Sequence, residues 1–454
     1  MSRISNAGWQ VIGVALLNGA ALLCCGQTQT DRVTKAQANP AWPDSLVTRN
    51  GQHIANPTDF NSQRRPELLH DFAESVYGRT PAQKLPIHAR VTSEDKAALG
   101  GTAIRKQITL TIGTASLTRD LHLLLYLPAH PKHAVPVFIG LNFDGNVTTT
   151  TDPGVDPNNV WTPDPAETGF SLLGALKVNV HHPPAEAARG SDAGKWPFEA
   201  IVKAGYAAAT LYAGDIEPDF ATGIGYGIRP LFFKPGQYMP DLDDWGAIGA
   251  WAWGLTRVAD YLATDSELAA QIDPHAIILT GHSRMGKAAL WAAAQDQGPH
   301  QRFAMVISNE SGQGGAGLSH REAGETIWHL NVAFPYWFSP AFHAFNGRPQ
   351  QYPLDGHLLL SLIAPRPLFI ASAQDDPLSD PQGEFESARA ASEVYRLFGQ
   401  EGIPADAKFQ VGKLMGNNIR YYCRPGKHDM LLEDWQRYIA FADEYFKSTT
   451  QFAH

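Results

Sequence analysis

One serine of this chain stands where a reactive hydroxyl could be presented. Residues 276–280 are apolar, Gly281 follows them, Ser283 comes two positions later, and Gly286 opens an alanine-rich segment. This order predicts a strand, a sharp turn and a helix, with the serine exposed at the turn. Glycines flank such a turn because a Cβ atom would collide with the tightly folded backbone. Ser283 is therefore our candidate nucleophile, although the second glycine comes one position later than in Gly-x-Ser-x-Gly.

Two cations follow this serine on the predicted helix. Arg284 and Lys287 fall in its first turn, where the helix dipole is positive and disfavours further cations. Lys287 is four residues from Ser283, so both side chains should share one face. A solvated basic pair is the alternative interpretation. Beside a reactive serine, the cations could stabilise a developing oxyanion and hold a polar or anionic substrate. A second oxyanion amide is expected from the loop at 140–145, after the apolar run 135–143.

A serine nucleophile needs a general base, and His428 is placed to supply it. In folds of this kind the partners follow in the order serine, acid, histidine. His428 lies in Arg-Pro-Gly-Lys-His-Asp, between residues 408–411, which we predict as the last strand, and an amphipathic helix from about Leu431. The loop between the last strand and the last helix is where the base belongs. His282, next to the serine, is predicted to be structural.

Two positions could supply the acid that orients the histidine. Glu310 follows the apolar run 304–308, and Asp375 and Asp376 come shortly after the apolar run 367–371. Groups that meet a ligand collect at the carboxyl ends of strands in open α/β sheets, so either position could hold the imidazole Nδ1. The alternatives are a helix cap or loop acid for Glu310 and an Asx-turn for the aspartates. Spacing alone does not choose between them.

These residues resemble the glucuronoyl esterases of carbohydrate esterase family 15, in their bacterial type. Residues 281–287 read Gly-His-Ser-Arg-Met-Gly-Lys, and Glu310 lies in Asn-Glu-Ser-Gly. The family's signature, Gly-x-Ser-Arg-x-Gly-Lys, accounts for the late glycine. The resemblance extends from about residue 44 to the end, and further similar segments are 65–81, 138–146, 196–219 and 334–338.

The resemblance implies a serine esterase that works through an acyl-enzyme. Its substrate would be the ester between a (4-O-methyl-)glucuronoyl group of xylan and a lignin alcohol. In the matching positions Ser283 attacks, His428 is the base and Arg284 supports the oxyanion hole. The acid would be Glu310 or Asp376, since family members use either position.

The resemblance also implies substrate-binding residues. Lys287 would hold sugar hydroxyls, Glu325 would join it, and Trp337, in Phe-Pro-Tyr-Trp-Phe, is assigned to substrate binding. Leu378 departs from the pattern, because bacterial members often carry a substrate-stacking tryptophan two residues after the second aspartate. The resemblance therefore does not decide which sugar the enzyme prefers.

Two other functions are weighed against this one. An acetyl xylan esterase, or another carbohydrate esterase, would have little use for Arg284 and Lys287, because an acetyl group offers them nothing to hold. A non-catalytic glycan-binding protein would not need Ser283, His428 and an acid together. Both remain alternatives.

Composition narrows the partners. The chain has 454 residues, 44% of them apolar, and a formal net charge of −9 without any basic block, so a nucleic-acid partner is not expected. The histidines and cysteines show no metal-ligand spacing, so no metal or cofactor is expected. We expect a monomer.

The periodicity of the chain predicts an α/β-hydrolase fold, a three-layer αβα sandwich with a mostly parallel sheet. Apolar strand patterns alternate with helical ones, which is typical of a parallel sheet covered on both faces. Residues 106–112 and 121–127 should pair antiparallel at its start. Helices are expected at 64–77, 245–263 and 384–398, and the cleft walls in the long excursions 145–189 and 311–353. The predicted strands are 106–112, 121–127, 135–143, 207–212, 276–280, 304–308, 368–371 and 408–411.

The N-terminus is predicted to be a targeting segment. Arg3 precedes the apolar stretch 11–25, so residues 1–26 are interpreted as a signal peptide and 27–43 as a flexible leader before a catalytic domain at 44–454. We therefore expect export to the periplasm or medium, without stable membrane insertion. Leu-Leu-Cys-Cys at 22–25 leaves lipidation of Cys25 as an alternative. Cys423 would then be the remaining cysteine, so no intramolecular disulfide is expected.

Overall fold

A computed structural model describes residues 42–164, 179–298 and 301–447. Within these residues ten strands form one sheet, in the order β1-β2-β3-β7-β4-β8-β9-β10-β12-β11, and β5 and β6 form a separate hairpin. In chain order, β1 to β12 are Ile87–Ala97, Ala103–Gly113, Thr118–Pro128, Val135–Asn142, Val160–Pro163, Asn179–His182, Ala207–Tyr212, Ile272–His282, Phe303–Asn309, Leu368–Ala373, Met415–Gly416 and Ile419–Arg424.

The central part of the sheet is parallel. Strands β7, β4, β8, β9, β10 and β12 pair parallel with one another, whereas β1 to β3 and β11 pair antiparallel at the two edges. The central strands are almost continuously apolar because helices cover both of their faces. The predicted antiparallel pair is confirmed, with Lys106 opposite Leu125. This is the predicted α/β-hydrolase architecture.

Helices pack on both faces of the sheet, and alternate strand residues enter separate cores. In β4, Val137 and Ile139 belong to the core that contains Trp251 and Trp291, whereas Phe138 belongs to the core that contains Trp435. The helical segments are Pro57–Asp59, Phe60–Arg64, Arg65–Phe72, Ala73–Tyr77, Ala98–Gly101, Phe198–Lys203, Ala213–Ile216, Ala247–Thr264, Arg284–Gln295, Ile327–Ala333, Gly356–Ser361, Pro381–Leu397 and Leu432–Phe446.

The two long excursions contain mostly short elements. The first carries the turn Asn146–Thr149 and the β5–β6 hairpin, and part of it, 165–178, lies outside the described residues. The second carries the helix Ile327–Ala333. The short 3-10 turns of the described chain are Asn146–Thr149, Glu186–Ala188, Gly223–Gly225, Arg229–Phe232, Ser319–Arg321, Pro340–Phe345 and Pro349–Gln351.

One predicted strand is wrong. Residues 408–411 are not a strand; the last long strand is Ile419–Arg424, immediately before the His428 loop. The alternation of Phe409 and Val411 reflects packing of both side chains against the core, without pairing into the ladder. The edge strand Ile87–Ala97 escaped prediction because most of its residues are exposed, so it lacks an apolar pattern.

The predicted signal peptide, and all but the last two residues of the leader, lie outside the described residues. Those two, Trp42 and Pro43, contact His357: the rings of Trp42 and His357 are 6.1 Å apart, and His357 Nε2 is 2.7 Å from the Pro43 carbonyl oxygen. No described helix has both the length and the apolar character needed to cross a membrane. Cys423 is a buried free thiol.

Candidate active site

Ser283 occupies a strained turn between β8 and the helix Arg284–Gln295. Its φ and ψ are 56° and −131°, a combination that costs of order 1–3 kcal/mol and persists only where the surroundings enforce it. Its amide donates to the carbonyl of Asn309 at 2.8 Å, so the neighbouring strand holds it. Gly281 permits the turn, because a Cβ there would lie 2.2 Å from the Met285 carbonyl oxygen. This is the strand, turn and helix that the sequence predicts.

The three proposed partners follow the next three long strands of the sheet. Glu310 follows β9 directly, Asp376 comes three residues after β10, and His428 comes four residues after β12. Backbone hydrogen bonds continue beyond the strands: the Glu310 amide donates to Ala371 at 2.7 Å. The parallel ladder therefore brings four sequence-distant side chains to one edge, where α/β sheets bind their ligands.

Both candidate acids approach the same imidazole nitrogen. His428 Nδ1 lies 2.6 Å from Asp376 Oδ2 and 3.0 Å from Glu310 Oε2. The Asp376 contact has the geometry of a hydrogen bond, and the Ser379 amide donates to the other oxygen of that carboxylate at 3.3 Å. Asp375 is exposed and touches this loop through its backbone amide, which donates to Gly426. Asp375 therefore does not meet the histidine, and Asp376 does.

Glu310 belongs to a second, buried ionic network. Its Oε1 accepts from Arg424 Nη2 at 3.0 Å, and its Oε2 accepts from the Asp429 amide at 3.0 Å. The guanidinium of Arg424 has only 1% of its side-chain surface exposed and also pairs with Asp434 at 3.1 Å. It donates further to the carbonyls of Lys427 and Asp429, so it shapes the loop that carries His428.

The charges of this cluster are strongly perturbed. Burial opposes the protonated form of His428, but hydrogen bonds to Asp376 and Glu310 outweigh it and raise its pKa to about 9. Burial raises the pKa of Glu310 to about 7, against the attraction of His428 and Arg424. Asp376 is also penalised by burial, yet its bonds to His428 and Ser379 hold its pKa below the usual value. Asp376 is thus the carboxylate that stays ionised beside the imidazole.

The imidazole of His428 is available on its other side. Its side chain is 40% exposed, and with Nδ1 engaged, Nε2 is the nitrogen left to meet a hydroxyl. Its ring packs 4.5 Å from that of His282, the residue before the serine. Among the described residues, Ser283 and His428 share no hydrogen bond, an interaction that in free enzymes often forms only once substrate is bound. His282 itself is buried and bonded to Asn309, as expected of a structural residue.

Arg284 is clamped at the start of the helix. Its Nε lies 2.5 Å from Asp219 Oδ2, and its guanidinium carbon is 4.5 Å from the ring centre of Phe143, which follows β4. Its backbone amide is the first of the helix and has no acceptor within it. The loop after β4 therefore contacts the side chain of the residue that follows the serine. Here the helix supplies an amide, and the clamp fixes a cation beside it.

Lys287, Glu325 and Trp337 form one wall of the site. Lys287 is 2% exposed; its Nζ donates to the Ser311 carbonyl at 2.5 Å and lies 3.4 Å from Glu325 Oε2. The same Nζ is 5.8 Å from the ring centre of Trp337. Trp337 is 3% exposed and stacked on Phe334 at 3.7 Å, so it supports the two cations more than it offers an open stacking face.

Leu378 lies beside this wall. Its carbonyl accepts from the Glu325 amide at 2.8 Å, and 56% of its surface is exposed. An aliphatic side chain therefore stands at the rim next to the polar pair.

Three groups that could ligate a metal converge here, namely His282, Glu310 and His428, with ligand atoms within 4.8 Å of one another. Each group already has a protein partner: His282 Nδ1 contacts Asn309, Glu310 Oε1 accepts from Arg424, and His428 Nδ1 is bonded to Asp376.

Sequence reasoning missed two residues that hold the site together. Asp219 binds Arg284, and its Oδ1 accepts from Trp337 Nε1 at 2.7 Å. Arg424 joins Glu310 to the His428 loop. Asp219 lies in a segment that resembles the family. Neither Asp219 nor Arg424, however, stands in a short sequence motif that indicates its contacts. The signal that could have pointed to Arg424 is its place directly after Tyr-Tyr-Cys and before Pro425.

Comparisons with known proteins agree on one family. A family model described as fungal glucuronyl esterase matches residues 237–399. A prokaryotic protein named carbohydrate esterase MZ0003, of unknown organism, is 40% identical over 403 residues, which are 89% of each chain. The glucuronoyl esterase from Solibacter usitatus is 42% identical with a TM-score of 0.82, covering 91% of this chain and all of the other. A promiscuous CE15 esterase from a marine bacterial metagenome is 39% identical with a TM-score of 0.79, covering 91% of this chain and 99% of the other.

Proposed function

This chain belongs to carbohydrate esterase family 15, a family of carboxylic ester hydrolases, and on that premise we propose that it cleaves glucuronoyl esters through Ser283. The observation that carries the proposal is the convergence of Ser283, His428 and Asp376 at the carboxyl ends of neighbouring strands. The substrate is the ester between a (4-O-methyl-)glucuronoyl group of xylan and a lignin alcohol.

The reaction proceeds in two steps. Ser283 Oγ attacks the ester carbonyl carbon while His428 Nε2 takes the hydroxyl proton. The imidazolium then gives this proton to the alcohol oxygen, and the carbon–oxygen bond to the alcohol breaks. Water, activated by the same imidazole, attacks the acyl-enzyme and releases glucuronate. Asp376 holds the Nδ1 proton throughout, which keeps the imidazole in the productive tautomer.

The tetrahedral oxygen needs positive partners. The amide of Arg284 and its clamped guanidinium supply them, together with the positive end of the helix dipole. One such donor is typically worth about 2.7–4 kcal/mol of the activation barrier. Because Asp219 and Phe143 hold the guanidinium in place, little reorganisation is needed when the negative charge develops.

Lys287 and Glu325 bind the sugar. In the substrate the uronic carboxyl is esterified and uncharged, so the buried Lys287 Nζ meets hydroxyl oxygens, and Glu325 accepts from hydroxyl groups. Trp337 packs beside the Lys287 ammonium, with its ring centre 5.8 Å from Nζ. An acetyl ester has no groups for this pair, so the wall favours a uronoyl ester.

The test compares Ser283→Ala with the matched control Ser266→Ala, an exposed serine with no part in the site. Hydrolysis of methyl glucuronate and of acetylated xylan is measured for each protein. The wild type and the control should prefer methyl glucuronate, and Ser283→Ala should lose all hydrolysis above the buffer rate. Retained hydrolysis in Ser283→Ala would contradict the nucleophile, and a preference for acetylated xylan would contradict the substrate.

The proposal extends to export. Residues 1–26 act as a signal peptide and 27–43 as a leader before the catalytic domain at 44–454. The charged start and the apolar stretch 11–25 support this. Sequencing the N-terminus of protein from a bacterial host checks it: a mature chain that begins near residue 27 is expected, and an intact Met1 would contradict it.

A further inference from the structure

A second cavity opens beside the proposed active site. It measures about 690 Å³ and contains none of the proposed catalytic residues. Its walls come from the start of β3, the β5–β6 hairpin and the loops after β7. The lining residues that matter are Arg119, His122, Asn158, Trp161, Asp215 and Tyr226.

This cavity lies at the same edge of the sheet as Ser283. Strand β3 runs antiparallel to β7, so its first residues reach beyond the carboxyl end of β7. Asp215 follows β7 and lines the cavity, and Asp219, four residues later, binds Arg284. Four residues span at most about 14 Å, so the cavity adjoins the oxyanion clamp.

Aromatic rings form one side of the cavity. Trp161 is stacked on His181 with ring centres 4.6 Å apart, and Tyr226 contacts the same indole at 4.5 Å. Tyr226 is 54% exposed, so part of its ring is open to a ligand. Arg119 holds that loop: its Nε donates to the carbonyls of Tyr226 and Gly227 at 2.8 and 2.9 Å.

Polar groups line the cavity as well. His122 Nδ1 lies 3.0 Å from Asp215 Oδ2, so Nε2 is the nitrogen left for a ligand. Among the described residues, the carboxamides of Asn158 and Asn159 make no hydrogen bond to protein. His122 and Asn158 also line a smaller cavity of about 230 Å³, so the two cavities are neighbours, and we call the larger one the groove.

We infer that this groove binds a neutral pyranose chain, the glycan that carries the ester. Flat rings beside free amide and imidazole groups suit sugars, whose apolar faces stack while their hydroxyls bond at the rim. The polar lining disfavours a phenolic ligand. A uronate is disfavoured too, because Asp120 and Asp215 line the cavity and each of the three guanidinium nitrogens of Arg119 already donates to a backbone carbonyl.

The groove and the catalytic site bind different parts of one substrate chain. The catalytic pocket takes the single esterified uronoyl residue, and the groove takes unesterified sugars of the same chain. This inference rests on the proposed function in that the ester belongs to a glycan. Small esters do not reach the groove, so its contribution appears only with chain substrates.

The test is a calorimetric titration of xylohexaose into the full chain. Tyr226→Ala is compared with Tyr238→Ala, a matched change at an exposed tyrosine outside the groove. Tyr226→Ala should weaken the Kd roughly three- to tenfold, as expected for one lost stacking contact, and Tyr238→Ala should leave it unchanged. Asn158→Ala, which keeps the aromatic wall, should weaken it about two- to tenfold. Sodium glucuronate should not compete with xylohexaose.

Xylohexaose that fails to bind the wild type, or binds both tyrosine variants equally, would overturn the inference. So would a lignin-type phenolic dimer that binds through Tyr226 where xylohexaose does not. Xylohexaose carries no ester, so its binding is independent of hydrolysis. A chain that binds xylohexaose but leaves methyl glucuronate intact would therefore refute the proposed function and not the groove.

Discussion

Replacing Asp376 by Asn should lower kcat by about 10²- to 10³-fold. In a Ser-His-Asp triad, loss of the orienting carboxylate costs about 10⁴ in kcat. Here Glu310 Oε2 lies 3.0 Å from His428 Nδ1, close enough to take over the charge-assisted hydrogen bond when Asp376 is replaced. Such a bond is worth about 1.5–3 kcal/mol, or roughly ten- to a hundredfold in rate. The remaining loss is therefore smaller than the full 10⁴.

Replacing Glu310 by Gln should lower kcat little and the stability of the fold considerably. Asp376 still accepts a hydrogen bond from His428 Nδ1 at 2.6 Å, so kcat should fall less than tenfold. Stability should suffer instead, because the buried Arg424 loses one of its two carboxylates. Breaking a buried pair costs about 3–5 kcal/mol, and the surviving Asp434 places the expected loss near 3 kcal/mol.

The assay is hydrolysis of methyl glucuronate at a pH above the His428 transition, together with urea unfolding. Asp375→Asn is the matched control, since this exposed carboxylate does not meet the histidine; it should keep wild-type kcat and stability. In the double variant Asp376→Asn with Glu310→Gln, kcat should fall by about 10⁴-fold, the full loss expected when no carboxylate orients the histidine. A larger kcat loss in Glu310→Gln than in Asp376→Asn would refute the assignment, and equal small losses would mean that the two acids substitute for each other.

Two further predictions concern the base and the turn. His428 must be neutral to act as a base, and its pKa is raised to about 9. The kcat/KM for methyl glucuronate should therefore fall tenfold for each pH unit below that value. A transition at pH 6.5 or lower would contradict the effect of Asp376 and Glu310 on His428. Asp376→Asn should move this transition to lower pH, because one of the charges that raise the pKa is gone. Gly281→Ala should abolish activity and lower the thermal midpoint, because the new Cβ would meet the Met285 carbonyl at 2.2 Å; Gly194→Ala, with open space around it, is the control, and equal behaviour of the two would contradict a constrained turn.

Much of the fold could be predicted because its signals are local. The central strands are apolar on both faces, so their runs stand out, and the alternation with helices predicts the layered sheet. The edge strand Ile87–Ala97 was not predicted, because most of its residues are exposed and its sequence therefore lacks an apolar face. Residues 408–411 are the reverse case, where buried side chains imitate a strand without backbone pairing.

Ser283 and His428 could be proposed from the sequence, since a glycine-bounded serine and a histidine in the last loop are features of short segments. The sequence could not rank the two acids, because their distances from His428 Nδ1 depend on the packing of the strands. Asp376 Oδ2 and Glu310 Oε2 differ by 0.4 Å in that distance, from 2.6 to 3.0 Å. Such a difference arises from strand register and from Arg424, more than a hundred positions from Glu310.

Short-range patterning thus specified an α/β-hydrolase sheet and the positions of Ser283 and His428, because hydrophobic periodicity and turn chemistry act over a few residues. Long-range packing brought Asp376 to His428, paired Asp219 with Arg284 and buried Trp337 beside the two cations. These contacts join segments that meet only after the sheet has formed, and burial then sets their charges. No short segment of the sequence specifies these contacts or the charges that burial sets.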